Sequence, residues 1–411
     1  MAIDLPEEYS MKPLKPKTGA PAEGEEYFYV RSKIINKIFS KLTNKENILI
    51  SAPRRIGKSS ILKYICKHPE NNQIIKYMIV QSADSSDTFY KKVLNALITD
   101  KEIFNLTNTL LKRFSVSAKA YISKVKGIKF DGVEISENEK LDYYELVSKI
   151  FNELSQHSKQ IVLVFDEFPD AVANIYGNNK KEAVIFLQQH REFRELYSNS
   201  SLLFIYTGST GLKNVVRKIG EIHLINNLVD IKVPPFSNKE AKELIQRLVL
   251  SRQQDVPMFK IDDRVIDYIL KEVTWLLPYY LQIIVEEIFD NFDEDIPEVT
   301  TQSVDEAINL ILTYDSSYSD YFENWWSRLK TAFQDKADLK LAIDILNKIA
   351  IENTIRKSQL YDLTVKHKDA EGSYVEDVLK FDGYIDFNDE TKQYGFNSFL
   401  LKRWWYINVA T

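Results

Sequence analysis

The segment Ala52-Pro53-Arg54-Arg55-Ile56-Gly57-Lys58-Ser59 follows directly on the apolar run Asn47-Ile-Leu-Ile-Ser51 and leads into Ile61, Leu62 and Ile65 at helical spacing. A short buried strand, a tight glycine-bearing loop and a helix in immediate succession leave few architectures open. Backbone amides converge at the helix N-terminus, where unsatisfied N–H groups and the helix dipole favour an anion. In such a loop Gly57 lets the backbone approach a phosphate closely, Lys58 reaches the β- and γ-phosphates, and Ser59 ligates Mg²⁺. Pro53, Arg54, Arg55, Ile56 and Ser60 complete the expected phosphate-binding set, and Lys58 also serves the chemistry. The strict pattern has a glycine where Ala52 stands, and alanine is its smallest replacement. A bare Gly-Lys-Ser is common, so the strand before it and the helix after it supply the specificity.

A second motif follows in the order that such a fold demands. Gln160-Ile-Val-Leu-Val-Phe165 is too short for anything but a fully buried strand, and it ends in Asp166-Glu167. A carboxylate at the C-terminal end of a buried strand can sit beside magnesium, the role expected of Asp166 together with Ser59. Glu167 can then polarise a water as general base. Taken alone, the pair would read as a solvated acidic turn. Further apolar runs at Ile74–Val80, Leu202–Tyr206 and Val229–Val233 alternate with helical patterns such as Leu141–Leu154. Strands separated by helices imply βα units on a mostly parallel sheet, with right-handed crossovers placing helices on both faces. The expected class is α/β: a P-loop parallel sheet followed by a helical lid and a C-terminal winged helix.

At 411 residues the chain exceeds one typical core. A net charge of −5 announces no nucleic-acid binder in bulk, so any basic face has to be local. With Cys66 the one cysteine, neither a disulfide framework nor a thiolate zinc site can be built within the chain, which suits a reducing cytoplasm. Met1 to Glu26 has no apolar run and is not expected to be a signal peptide. No apolar stretch approaches the roughly 18–20 residues of a membrane span. Residues 1–25, rich in proline and charge, read as a flexible or draping arm. A basic, less regular stretch over 101–140 carries Lys112, Arg113, Lys119, Lys124, Lys126 and Lys129 and is expected to be an insertion or helical excursion.

After Pro235 the strand patterns stop. Ser237 with Glu240, and Ser303 with Glu306, have the spacing of capping boxes, and helices are expected near 238–250, 263–273 and 278–291. In the last stretch, helical patterns at Leu339–Ile351, Ser358–Lys366 and Tyr374–Leu379 precede the Asp382-Gly383 turn and short strands at Tyr384–Phe387 and Tyr394–Phe396. This is a winged-helix pattern. The expected domains are an arm (1–25), a P-loop core (26–235), a lid (236–315), and a linker helix with the winged helix (316–411). Glu371, Glu376 and Asp377 on the third helix and Asp386, Asp389 and Glu390 on the wing oppose phosphate neutralisation, which leaves Lys366, Lys368, Lys402 and Arg403 as a separate basic edge. Packing or protein contact is the favoured use of this domain. Trp325, Trp326, Trp404 and Trp405 are expected to pack rather than to stack on bases.

With these motifs in place, the chain resembles the archaeal-type ATPases, a branch related to the STAND switches and the AAA+ proteins. Their Gly-Pro-Arg-Arg-x-Gly-Lys-Thr-type loop is matched by Ala52 to Ser59 with Ala and Ser substituted. The resemblance implies that Tyr29 and Arg31, in Phe28-Tyr29-Val30-Arg31, lie near the adenine. It also implies that Thr207, opening Thr207-Gly208-Ser209, reads the γ-phosphate, and that Pro278 marks the nucleotide-facing edge of the lid. Asn44-Lys45-Glu46 and Asn238-Lys239-Glu240 lack the aspartate of a guanine-reading Asn-Lys-x-Asp element, which favours ATP over GTP. The implied protein is a slow ATPase and molecular switch using ATP and Mg²⁺, with the nucleotide between core and lid controlling the winged helix. It would act with a protein partner or by self-assembly, and without a membrane. A DNA-associated AAA+-like ATPase anchored by its winged helix is the alternative. Arg191 or Arg194 could serve as an arginine finger, although salt-bridge roles are commoner for such residues.

Overall fold

The computed structural model describes residues 12–70, 72–127, 141–295, 297–313, 318–333 and 335–410. Lys129 of the basic stretch and the expected boundary near 315 lie outside the described residues. The chain divides into two compact units. One holds Ser32–Ser51 and Leu62–Lys232. The other holds the described residues up to Arg31, Ala52–Ile61, and the chain from Val233 onward.

The first unit is built on a five-stranded sheet in the order β2-β3-β4-β1-β5, made of β1 (Ile48–Ser51), β2 (Gln73–Ile79), β3 (Gln160–Asp166), β4 (Leu202–Gly208) and β5 (Val229–Lys232). All of its pairings are parallel. Residues of β3 and β4 are almost all buried, which is why these strands read as continuous apolar runs rather than alternating ones. The register sets Ile50 beside Thr207, Phe165 beside Tyr206, and Ile79 beside Asp166. The C-terminal ends of β1 to β4 therefore share one edge, where ligands of open α/β sheets bind.

The flanking helices begin with α1 (Ser32–Thr43), α2 (Lys58–Lys67), whose first turn belongs to the second unit, and α3 (Ser86–Thr99). The irregular excursion resolves into α4 (Lys101–Leu111) and α5 (Val116–Lys126). Asp100 caps α4 by accepting from the Glu102 and Ile103 amides, and Gly127 ends α5 in the left-handed region at φ 71°. Then follow α6 (Tyr143–Ser155), α7 (Phe168–Asn178), α8 (Lys180–Leu196) and α9 (Leu212–Ile219). Phe89, Phe165, Phe168, Phe186, His190 and Tyr206 interlock as one buried aromatic cluster.

In the second unit, α10 (Asn238–Arg252), α11 (Asp263–Val273), α12 (Pro278–Asp290) and α13 (Thr301–Leu312) make up the all-helical stretch expected to be the lid. The Ser237–Glu240 capping box is present. The second box is displaced: Thr300, not Ser303, is the N-cap of α13, and Ser303 replies as its N3 partner. Hydroxyls at both positions allow either choice, and the helix takes the longer one. The chain continues through α14 (Ser319–Ala332), α15 (Lys336–Glu352), β6 (Thr354–Arg356), α16 (Lys357–Lys366), α17 (Gly372–Phe381), β7 (Ile385–Asn388), β8 (Gln393–Phe396) and α18 (Phe399–Asn408). The antiparallel order β6-β8-β7 with α15 to α17 completes the winged helix. Trp325, Trp404 and Trp405 are buried, and the Trp405 indole donates to Asn347 at 2.9 Å, so they pack as expected. Among the described residues, no helix is long and apolar enough to cross a membrane.

Candidate functional site

The phosphate loop begins where β1 ends. Ala52 and Ile56 are buried and pin the loop at both shoulders. Gly57 adopts φ +93°, and a Cβ built there would meet nothing within 4 Å. Glycine is thus required by conformation, while the space beside it is open to a ligand. Lys58 opens α2, and the Ile61 amide bonds to the Gly57 carbonyl at 3.0 Å. The first amides of a helix have no partner within it and carry its positive dipole end, which suits a phosphate. A serine hydroxyl with a carboxylate is the oxygen donor set that Mg²⁺ takes alongside phosphates.

The residues before Gly57 are tied to elements of their own unit. Arg54 donates to the Asn324 side chain at 2.9 Å. Arg55, in the left-handed region at φ 64°, donates to the Thr18 carbonyl at 2.6 Å and lies over the rings of Tyr279 and Tyr321, 4.7 and 5.6 Å from their centroids. The Ala22 amide donates to the Ser60 hydroxyl at 2.9 Å, and the Lys17 amide to Gln282 at 2.6 Å. Leu14, 1% exposed, anchors the same segment. Residues 12–26 thus lie along the loop and the lid.

The acidic pair is organised by the sheet unit. Asp166 ends β3, is 3% exposed, and accepts from the hydroxyl of Tyr77 on β2. Glu167 is left-handed at φ 58°. On one side of it the chain is fixed in β3; on the other Phe168 is buried against Tyr206 and Phe186. Its carboxylate accepts from the Ser209 amide at 2.7 Å and the Ser209 hydroxyl at 3.0 Å. Gly208 permits this approach: a Cβ there would stand 2.4 Å from Pro169 Cδ and 3.3 Å from Glu167 Oε2. Thr207 is fully buried, and among the described residues its hydroxyl has no hydrogen-bond partner. A buried hydroxyl in that state is costly unless a ligand or water meets it.

Other expected site residues are placed as follows. The Tyr29 hydroxyl donates to Glu243 at 2.9 Å, and its ring packs on Phe236. Arg31 is buried and donates to the carbonyls of Pro234 at 2.7 Å and Pro235 at 3.3 Å, fastening this segment to the start of the lid. Pro278 is the first residue of α12. Arg191 pairs with Glu195 at 2.7 Å and donates to the His223 carbonyl. Arg194 is buried, with donors on Asn227 and on the carbonyls of His190 and Leu224. Both arginines thus make brace-type contacts within the sheet unit. On the basic edge, Lys402 bonds to Asn353 and Arg403 to Asn309. Sequence reasoning missed Tyr77 and Ser209. The register fixes the first, and only the Thr-Gly-Ser string after β4 hinted at the second.

A parallel sheet with β1 between β4 and β5, a glycine-bearing loop from β1 into a helix, and an acidic pair closing β3 define a parallel α/β fold of the P-loop type. The chain is similar over 96% of its length to 99% of a Walker-type ATPase of Pyrococcus abyssi, with 15% identity and a TM-score of 0.60. It is similar over 93% of its length to 96% of the ORC2 protein of Aeropyrum pernix, solved in ADPNP–ADP complexes, with 10% identity and a TM-score of 0.51. At such identities the likeness concerns the fold. No protein-family model matches the chain. No curated protein matches it either.

Proposed function

We propose that the protein binds and slowly hydrolyses Mg-ATP as a nucleotide-dependent switch whose output is the disposition of its winged helix. The observation that carries this reading is the loop at Gly57, left-handed with open space at its Cβ position and running straight into the N-terminus of α2. The Pyrococcus abyssi protein is named a Walker-type ATPase and the Aeropyrum pernix protein was solved with adenine nucleotides, which agrees with the choice of ATP.

In this reading the amides from Gly57 onward and the Lys58 ammonium hold the phosphates, while Ser59 and Asp166 hold the metal. Bound Mg²⁺ supplies charge neutralisation on the phosphate oxygens. Glu167 orients a water and takes its proton as the water oxygen bonds to the γ-phosphorus and the bond to the β,γ-bridging oxygen breaks. Thr207 offers its buried hydroxyl to the γ-phosphate. Tyr77 holds Asp166, and Ser209 holds Glu167, as positioning residues. Nucleotide shifts a conformational equilibrium only through its differential affinity for the two states, so ATP and ADP must bind them unequally.

Calorimetric titration with Mg-ATP tests the reading directly. Wild type and Glu167→Gln should both bind, Glu167→Gln should turn ATP over about 10²–10⁴-fold more slowly, and Lys58→Ala should not bind. Equal binding by Lys58→Ala would remove the phosphate-loop assignment. Light scattering of Glu167→Gln in ATP and in ADP then asks about output: assembly in ATP alone favours a self-assembling switch, and an unchanged monomer favours a separate partner.

A further inference from the structure

The phosphate loop carries an arginine where a glycine would be easier. Arg55 keeps a left-handed backbone, which L side chains enter only when their surroundings hold them there. Its side chain explains the choice. The guanidinium faces Tyr279 of α12 and Tyr321 of α14, whose ring centroids stand 4.2 Å apart, and it donates to the Thr18 carbonyl. Burial raises the hydroxyl pKa of both tyrosines, so the rings present neutral faces to the cation. The preceding residues point the same way. Arg54 bonds to Asn324, one turn along α14 from Tyr321. Pro53 meets the turn between α17 and β7: a Cβ on Gly383 would stand 3.4 Å from Pro53 Cβ and 2.4 Å from the Trp275 ring.

We infer that Arg54 and Arg55 are positioning residues that clamp the phosphate loop to α12, α14 and the N-terminal segment, and that nucleotide occupancy reaches the winged helix through this clamp. The inference rests on the nucleotide-binding reading above and supplies its route of transmission. Three consecutive loop residues between them meet α12, α14 and the turn after α17, so a loop reshaped around phosphate cannot move without displacing those contacts. A guanidinium stacked on aromatic rings and bonded to a carbonyl has committed its planar face and a donor, and lysine cannot copy that arrangement.

The test uses the full chain, with hydrogen exchange over residues 274–281, 318–326 and 380–386 measured without nucleotide, with Mg-ADP and with a non-hydrolysable Mg-ATP analogue. Affinities come from calorimetry and folding from thermal melts. In wild type the exchange should differ between the two nucleotides. Arg55→Gln and Arg55→Lys should both lose that difference. Tyr279→Leu, which leaves the loop sequence intact, should lose it too. A drop in affinity beyond about ten-fold in Arg55→Gln, the size of one charge-assisted hydrogen bond, that Arg55→Lys restores would make Arg55 a phosphate ligand and overturn the clamp. An intact exchange difference in Tyr279→Leu also overturns it. Wild type that binds neither nucleotide would bring down the ATPase reading and the clamp together, a result distinct from wild type that binds both without any exchange difference, which overturns the clamp alone.

Discussion

The acidic end of β3 and the loop that leaves β1 are held in opposite ways. Asp166 and Glu167 are fixed by their own unit, through Phe168 in the aromatic cluster, Tyr77 on the paired strand, and Ser209 brought close by the absence of a side chain at Gly208. Pro53, Arg54 and Arg55 are held by separate polar, cation–π and edge contacts rather than from within a core, with 270 residues separating Arg54 from Asn324. A packed core fixes its parts cooperatively, whereas isolated polar and cation–π contacts are individually weak and exchangeable. The pair at β3 is therefore suited to chemistry, which needs fixed geometry, and the loop to signalling, which needs contacts that can be remade.

Breaking the rigid side should give the largest effect. Glu167→Gln is expected to lower turnover by about 10²–10⁴-fold, the usual contribution of a general base, with nucleotide affinity kept. Phosphate release under single-turnover conditions checks it, and a loss below ten-fold would hand the role of base to another group. A matched pair of glycine substitutions sharpens the comparison. Gly208→Ala sets a methyl 2.4 Å from the Pro169 ring, and Gly383→Ala sets one 2.4 Å from the Trp275 ring at φ +86°. Neither ring can swing aside as a flexible chain would, so each should cost about 1–3 kcal/mol in denaturant titrations. Turnover separates them: Gly208→Ala, displacing Glu167 and Ser209, should slow hydrolysis several-fold, and Gly383→Ala should leave it within about two-fold while altering exchange in the lid. Equal kinetics in the two variants would erase the distinction.

How much of this was legible follows from how each part is held. The strands β1, β3 and β4 could be read because buried parallel strands are continuous apolar runs, and the Gly57-Lys58-Ser59 loop because a phosphate loop calls for those residue types at fixed spacing. Tyr77 and Ser209 could not. Tyr77 reaches Asp166 across 89 positions through the register of two strands, which periodicity does not encode. The ordering of residues 12–26 hung on the single apolar anchor Leu14 amid prolines and charges. The strand β6, Thr354–Arg356, is too short to show a period, and the tryptophans of α18 marked packing without marking a helix.

The smallest effect, and the one confined to the rigid side, concerns His190. It is 1% exposed, with Phe89, Phe168 and Phe186 around its ring and Nδ1 3.1 Å from the Tyr206 hydroxyl. Burial, with the Arg194 charge adding to it, holds its pKa well below the ordinary imidazole value. In the unfolded chain the same ring takes a proton as pH falls through about 6.5, while folded His190 stays neutral. The unfolded state then binds more protons, so this contribution to stability is complete above about pH 6.5 and lost as pH falls below it, by about 1.4 kcal/mol per pH unit until the lowered folded value is reached. Urea titrations at pH 7, 6 and 5 should show that slope in wild type and a shallower one, by about one proton, in His190→Gln. Because the ring lies on Phe168, which anchors Glu167, acidification should also raise hydrogen exchange at the end of β3 before it does so at Arg54 and Arg55. An unchanged slope in His190→Gln, or exchange rising first at the loop, would mean that the aromatic cluster is not what fixes the acidic pair.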